Sequence, residues 1–338
     1  MGKNGAGGTV PQTECSSDPA GDEAMPPHSW SQVKADKFNV RQGPDYGLHR
    51  RKARSVGPSL YQLCGVDWYR AGSRLEGVGR LAELPRAEFS HHSVPSLLVV
   101  NVQLPLEAPS LLKGAKEDGP TVHAVFHFCL RQETVQALSN LESAQPSVRL
   151  LAAYFRRAES EPEVRKRFKA LAVLNNLDAI NMHRLVHPFN GKPVLITESG
   201  SLMRGSRTPG GKGTFDRRET RADADEVGRT TTHVPGRAGE TIVDGSGDGD
   251  GGAAIGGGGS GVSFEANEFL ELDINVRKWS FLARKGLHKL APKFGLVNVS
   301  IAFLIEGREN DELPEQVLGC GTLNMLEIES ARDIQGSS

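Results

Sequence analysis

The 338-residue chain carries 40 basic and 41 acidic residues, 38% hydrophobic residues and 39 glycines. The even charge balance lacks the basic surplus of a nucleic-acid-binding domain, and no apolar run approaches the ~18 residues of a membrane-spanning helix. Seventeen of the glycines fall between Arg204 and Ser263; with that stretch and the polar residues 1–29 set aside, the rest has the composition of one globular domain of about 240–250 residues.

Residues 1–29 are Gly-rich and Pro-punctuated, which predicts a disordered head without the apolar segment of a secretory signal. Gly2 and Lys3 resemble the start of an acylation signal, but Ala6 stands where Ser or Thr is required. Order is expected from Trp30, where the irregularly spaced aromatics Trp30, Phe38, Tyr46, Tyr61, Trp68 and Tyr69 suggest an extended chain pinned to a core by single large side chains. Ser96–Leu104 reads as a strand with Val100, Val102 and Leu104 on one face. Val122–Leu130 alternates Val122, Ala124, Phe126, Phe128 and Leu130 against His123, Val125, His127 and Cys129. Residues 148–157 and 163–176 read as helices, the second with an apolar stripe of Val164, Phe168 and Leu171 and a capping box over Ser160–Glu163. A turn at Asn190–Gly191 leads into a strand over Lys192–Glu198.

Arg204–Ser263 has no periodicity and predicts a disordered insertion, expected at 204–263. Beyond it, Phe269–Val276 alternates as a strand, Lys278–Leu290 is a basic amphipathic helix, and Leu296–Ile305 is a strand with Val297, Val299, Ile301, Phe303 and Ile305 on one face. Asp311–Leu318 suggests a short helix ending at Gly319, ahead of a last strand near Thr322–Ile328. Residues 331–338 form a tail. The mixture predicts an α+β fold: a largely antiparallel, or mixed, β-sheet with packed helices, in one domain over 30–330. A parallel crossover joining the strands at 269–276 and 296–305 is a local exception the pattern allows.

Chemistry-bearing motifs are sparse. Asp244–Gly249 mimics a calcium loop, but Ile255 occupies the position of the bidentate Glu. The stretch from Gly205 is one residue out of register for a phosphate loop. His123 and His127 lie about 13 Å apart along a strand, too far to share a metal; His183 and His187 suit a helix face but lack a third ligand. Cys15, Cys64, Cys129 and Cys320 form no C-x-x-C pair, which predicts reduced thiols in a cytosolic protein. No nucleophile motif is present, so no enzymatic activity, cofactor or metal is expected. The rival reading is an enzyme using Asp273, Glu306 or Glu312 at a cleft edge; for the acidic cluster Glu306, Glu309, Asp311, Glu312 and Glu315, a solvated turn is the plainer role. In the basic helix, Arg277, Lys278, Arg284, Lys285, His288 and Lys289 surround an apolar side of Trp279, Leu282, Gly286, Leu287 and Leu290, a pattern that suits an anionic lipid surface.

Six segments occur in one order: FNVRQGPDYG from Phe38, VVNVQLP from Val99, NGKPVL from Asn190, FLELDINV from Phe269, ARKGL from Ala283 and FLIEGRENDELPEQVLG from Phe303. Together they resemble the C-terminal domain of the plant Enhanced Disease Resistance 2 proteins, over residues 28–202 and 264–330. In those proteins the domain follows a pleckstrin-homology module and a START-type lipid-binding module, and the whole is linked to phosphoinositide binding and restraint of defence-related cell death. The resemblance implies no catalytic residues. Residues 1–29 are too few for either module, so the modules' lipid assignments transfer to no residue here. The expectation is a non-enzymatic lipid- or membrane-associated regulatory domain, cytoplasmic and peripheral to membranes. Arg277, Lys278, Arg284, Lys285 and Lys289 are its candidate contacts with anionic lipid; a protein-interaction module without a small ligand is the alternative.

Overall fold

The alternation over residues 121–130 produces the strand around which the larger sheet is built. A computed structural model describes residues 9–13, 25–110, 116–178, 180–181, 190–195, 200–208, 211–215 and 262–335. In chain order the elements are β1 (Ser29–Ser31), β2 (Asn39–Arg41), α1 (Tyr46–His49), β3 (Lys52–Arg54), β4 (Tyr61–Ala71), β5 (Leu97–Pro105), β6 (Thr121–Leu130), α2 (Gln132–Leu138), α3 (Pro146–Arg157), α4 (Pro162–Arg165), β7 (Phe168–Leu174), β8 (Pro193–Leu195), β9 (Gly200–Arg207), β10 (Gly213–Phe215), β11 (Glu268–Asn275), α5 (Phe281–Leu290), β12 (Asn298–Ile305), β13 (Gly319–Asn324) and β14 (Arg332–Asp333). Among the described residues these make a seven-stranded sheet in the order β10-β9-β11-β5-β6-β4-β14, a five-stranded sheet in the order β1-β13-β12-β7-β8, and the β2–β3 hairpin. Pairing is antiparallel except between β11 and β5 and between β14 and β4, so the class is α+β with antiparallel and mixed sheets.

The two larger sheets pack face to face. Phe126 and Phe128 of one meet Phe303 of the other at ring centroids of 5.5 and 5.7 Å, near-perpendicular contacts typical of packed aromatic rings. α3 closes one end of this layer: Phe155 packs on Tyr61 and Phe264, and Tyr154 on Phe168. The outer face of the smaller sheet is covered by Phe38 and Val40 against Leu171, Ala302 and Leu304.

Several expectations need correction. Residues 168–174 form β7 rather than a helix, because Phe168–Leu174 pairs residue for residue with Ile305–Val299 of β12. The helical stripe was real only through Val164; beyond it, Phe168, Ala170, Ala172 and Leu174 share a strand face. The capping box over Ser160–Glu163 does not form: Glu161 is the N-cap and its side chain makes no capping bond, accepting instead from Arg157, while Pro162 does open the helix. Asp311–Leu318 holds a single 3-10 turn, Asn310–Glu312, and then extended chain; Pro314 disfavours helical geometry at Leu313. The crossover is absent, since β11 and β12 belong to different sheets.

The eleven-residue β4 was hidden by a bulge. Tyr61 and Leu63 face the core before it and Val66 and Trp68 after it, the register shifting between Leu63 and Gly65. One extra residue moves the buried face from odd to even positions and erases the period-2 signal. The same bulge brings Cys64 to Cys129, and the two form a disulfide across β4 and β6. This corrects the expectation of reduced thiols for that pair; Cys320 is free and buried, and Cys15 lies outside the described residues.

Two boundaries also move. Residues 9–13 are not a disordered head: Val10 is buried, its N–H bonds the Val66 carbonyl, and Trp30 Nε1 donates to the Val10 carbonyl at 3.1 Å. Nor does disorder begin at Arg204. Residues 204–207 complete β9, which pairs with β10 and β11. Gly205 and Gly213 here are a socket: a Cβ at either would stand 2.5 or 2.7 Å from the Phe269 ring. Residues 216–261, which contain the calcium-loop mimic, lie outside the described residues, as do Gly2, Ala6, His183 and His187.

Candidate functional site

Between the sheets, at the end away from α3, the core opens into an apolar cavity of about 310 Å³. Its walls come from alternate residues of paired strands: Val102 and Leu104, Ala124 and Phe126, and Ile274 on the larger sheet, facing Ala170, Ala172, Val299, Ile301 and Phe303 on the smaller. Ala124, Ala170 and Ala172 leave the gap, because a larger aliphatic side chain at those positions would project into it. The roof is α5, with Leu282, Ala283, Gly286, Leu287 and Leu290 turned inward and Trp279 just ahead of it. The apolar side read from the sequence is therefore the side that meets the cavity.

α5 starts later than its sequence pattern suggests. Val276–Lys278 forms a 3-10 turn, with the Asn275 side chain accepting the Arg277 N–H, and Ser280 then caps the helix by accepting from Ala283. No residue of α5 is fully buried, and Leu282 is 61% exposed while also lining the cavity. Ala172 and Lys192 are likewise exposed lining residues, so the cavity reaches the surface.

The five candidate lipid contacts separate. Lys278, Lys285 and Lys289 are exposed. Arg284 is half-buried, and its Nε donates to the Trp279 carbonyl at 3.1 Å. Arg277 is buried and faces away from any surface: it donates to Thr121 Oγ1 at 3.1 Å, to the Pro120 carbonyl at 3.0 Å and to Glu107 Oε2 at 2.5 Å. Arg277 is thus a structural tie to the β5–β6 connection, because the 3-10 turn rotates it out of the helix face. Lys192, absent from the candidates, was legible only as part of the NGKPVL segment.

The carboxylates of the rival reading do not form one cleft. Asp273 lies on the outer face of the larger sheet, accepting from Asn101 Nδ2 at 2.5 Å, Gln103 Nε2 at 3.2 Å and the Gly77 N–H at 3.3 Å. Burial and the adjacent Glu271 push its carboxyl well above the ordinary range. Glu271 accepts the N–H groups of Val78 and Gly79 at 2.7 and 2.8 Å, which fastens that loop over the sheet. On the same face His127 pairs with Asp67 at 2.7 Å, and burial lowers His123 to about 4. Glu306 and Glu312 belong elsewhere, to an ion-pair cluster with Arg41, Arg167 and Arg308; burial opposes ionisation of Glu306, but Arg308 and Arg41 hold its carboxyl below its usual range. Glu315 is buried against Lys169 at 2.6 Å. Glu306, Glu312 and Glu315 are therefore ion-paired, while Glu309 and Asp311 are exposed at the 3-10 turn, with Glu309 as its N-cap.

This cluster joins two distant segments: Arg41 bonds Glu306 and Glu315, and Asp45 N–H bonds Asn310 Oδ1 at 2.9 Å. The family described as "Protein ENHANCED DISEASE RESISTANCE 2, C-terminal" matches residues 30–203 and 257–327. The chain belongs to this family. No curated protein and no solved structure matches it. In this Enhanced Disease Resistance 2 C-terminal domain the six segments divide between two tasks. FNVRQGPDYG and the charged part of FLIEGRENDELPEQVLG make the ion-pair cluster. VVNVQLP, NGKPVL, FLELDINV and ARKGL supply Val102, Leu104, Asn190, Lys192, Ile274, Ala283, Gly286 and Leu287 to the cavity.

Proposed function

We propose that this domain binds lipid non-enzymatically, taking hydrocarbon into the cavity beneath α5 and meeting an anionic membrane surface through that helix. The observation that carries the reading is the cavity itself. Its size lies at the lower end of the ~300–1,000 Å³ range of small-molecule sites, its walls are apolar, and its roof is a helix exposing Leu282 beside Lys278, Lys285 and Lys289. Such a helix gains about 1 kcal/mol per basic residue near an anionic bilayer, with apolar side chains entering the headgroup layer.

Vesicle sedimentation tests this. The domain should pellet with phosphatidylserine-containing vesicles more than with neutral ones, and salt should weaken the difference. Lys285→Glu with Lys289→Glu should abolish the preference; both side chains are exposed, so the loss of stability should stay at about 1 kcal/mol, from acidic groups placed toward the helix C-terminus. Equal sedimentation with neutral and anionic vesicles would remove the membrane part of the reading.

A further inference from the structure

The composition of the cavity restricts what enters it. Apart from Asn190 and Lys192, every lining residue is hydrophobic or glycine. Asn190 is already committed, accepting the Leu174 N–H at 2.7 Å and donating to the Leu174 carbonyl at 3.3 Å. Among the remaining lining residues only the Trp279 indole N–H is a buried donor without a partner, so a buried headgroup, ester or hydroxyl would regain at most one hydrogen bond for the water it loses, a net cost of several kcal/mol. The inserted part of the ligand is therefore essentially hydrocarbon. The volume limits its length: an apolar cavity of ~150 Å³ admits one benzene, so about twice that space accepts roughly a dozen carbon atoms. Two acyl chains of a membrane phospholipid cannot both fit.

The rim supplies the other half of the recognition. Lys192 lines the cavity yet is exposed, and it has no carboxylate partner among the described residues. Lys285 and Lys289, on the roofing helix, add positive charge. We infer that the cavity takes a single-chain anionic amphiphile, tail inward, with its carboxylate or phosphate head held at the rim by Lys192. This rests on the lipid-binding reading above and specifies its ligand class.

Titration calorimetry on the full chain can test it with dodecanoate, dodecyl phosphate and dodecanol, each below its micellar concentration. Both anions should bind one to one and more tightly than dodecanol, and the tighter anion names the head. Lys192→Met should weaken both anions about three- to fivefold, the scale of a solvent-exposed ion pair, and leave dodecanol unchanged. Across fatty acids, affinity should rise about fourfold per methylene and level off near twelve carbons. Equal binding of anion and alcohol, or an unaltered anion affinity in Lys192→Met, would overturn the assignment of Lys192. Ala124→Leu, which projects into the cavity from β6, serves as the control. If that variant stays folded yet binds all three ligands as the parent does, the cavity reading itself fails. If it loses all three while Lys192→Met changes none, only the headgroup inference fails.

Discussion

Single side chains show how differently neighbouring residues are used on the two faces of the larger sheet. Ile274 lines the cavity while its neighbour Asp273 is buried in a polar layer on the opposite side. Burial and the Glu271 carboxyl both oppose ionisation of Asp273 and push its carboxyl well above the ordinary range. Its folded-state pKa is raised above the unfolded value, so it binds more protons folded than unfolded. The resulting stabilisation is complete below about pH 4 and declines as pH rises toward the folded-state pKa. Asp273→Asn keeps an acceptor for Asn101 and Gln103 and removes the Asp273 titration, leaving that of Glu271, which burial also raises. The melting temperature of Asp273→Asn should therefore improve relative to the parent as pH is raised from 4 to 7. A difference that stays constant over that range would show that Asp273 is ionised in the fold. His123, lowered to about 4, acts in the opposite sense between pH 4 and 6.5, where the unfolded chain takes up its proton; because both proteins carry it, the comparison cancels its effect.

At the scale of elements, α5 is loosely secured for a ten-residue helix. It lacks a buried residue and carries Gly286 in mid-helix, where glycine costs about 1 kcal/mol relative to alanine. An added Cβ there meets no atom within 4 Å. Gly286→Ala should accordingly stabilise the protein by about 0.5–1 kcal/mol in urea denaturation; a loss of stability would mean that the helix packs more tightly over the cavity than the structure shows. The elements legible in the sequence were those whose buried face obeys one period throughout: β5, β6, β11, β12 and the body of α3. β4 was illegible because its bulge at Cys64 changes parity, and β7 because Phe168–Leu174 becomes a strand only through pairing with β12. Of the site, the apolar side of α5 and the facing strand residues were readable. The cavity was not, since it depends on small residues, Ala124 and Ala170, falling opposite each other on two sheets. Arg277 was misassigned for a local reason: Ser280 caps the helix three residues downstream of it.

For the molecule as a whole, the order of strands matters more than their number. Residues that follow the 216–261 segment do not add a separate layer. β11 is inserted between β9 and β5, and β12 and β13 lie between β7 and β1. The cores of both sheets are consequently built from the two sides of that segment together, with Phe303 against Phe126 and Phe269 in the socket of Gly205 and Gly213. The described residues on both sides form one compact unit. This interleaving makes the covalent link between the halves dispensable once folding is complete. A protease nick between residues 217 and 256 should leave two polypeptides that co-elute in gel filtration and separate only in denaturant, and the two halves expressed apart should be candidates for complementation rather than for independent study.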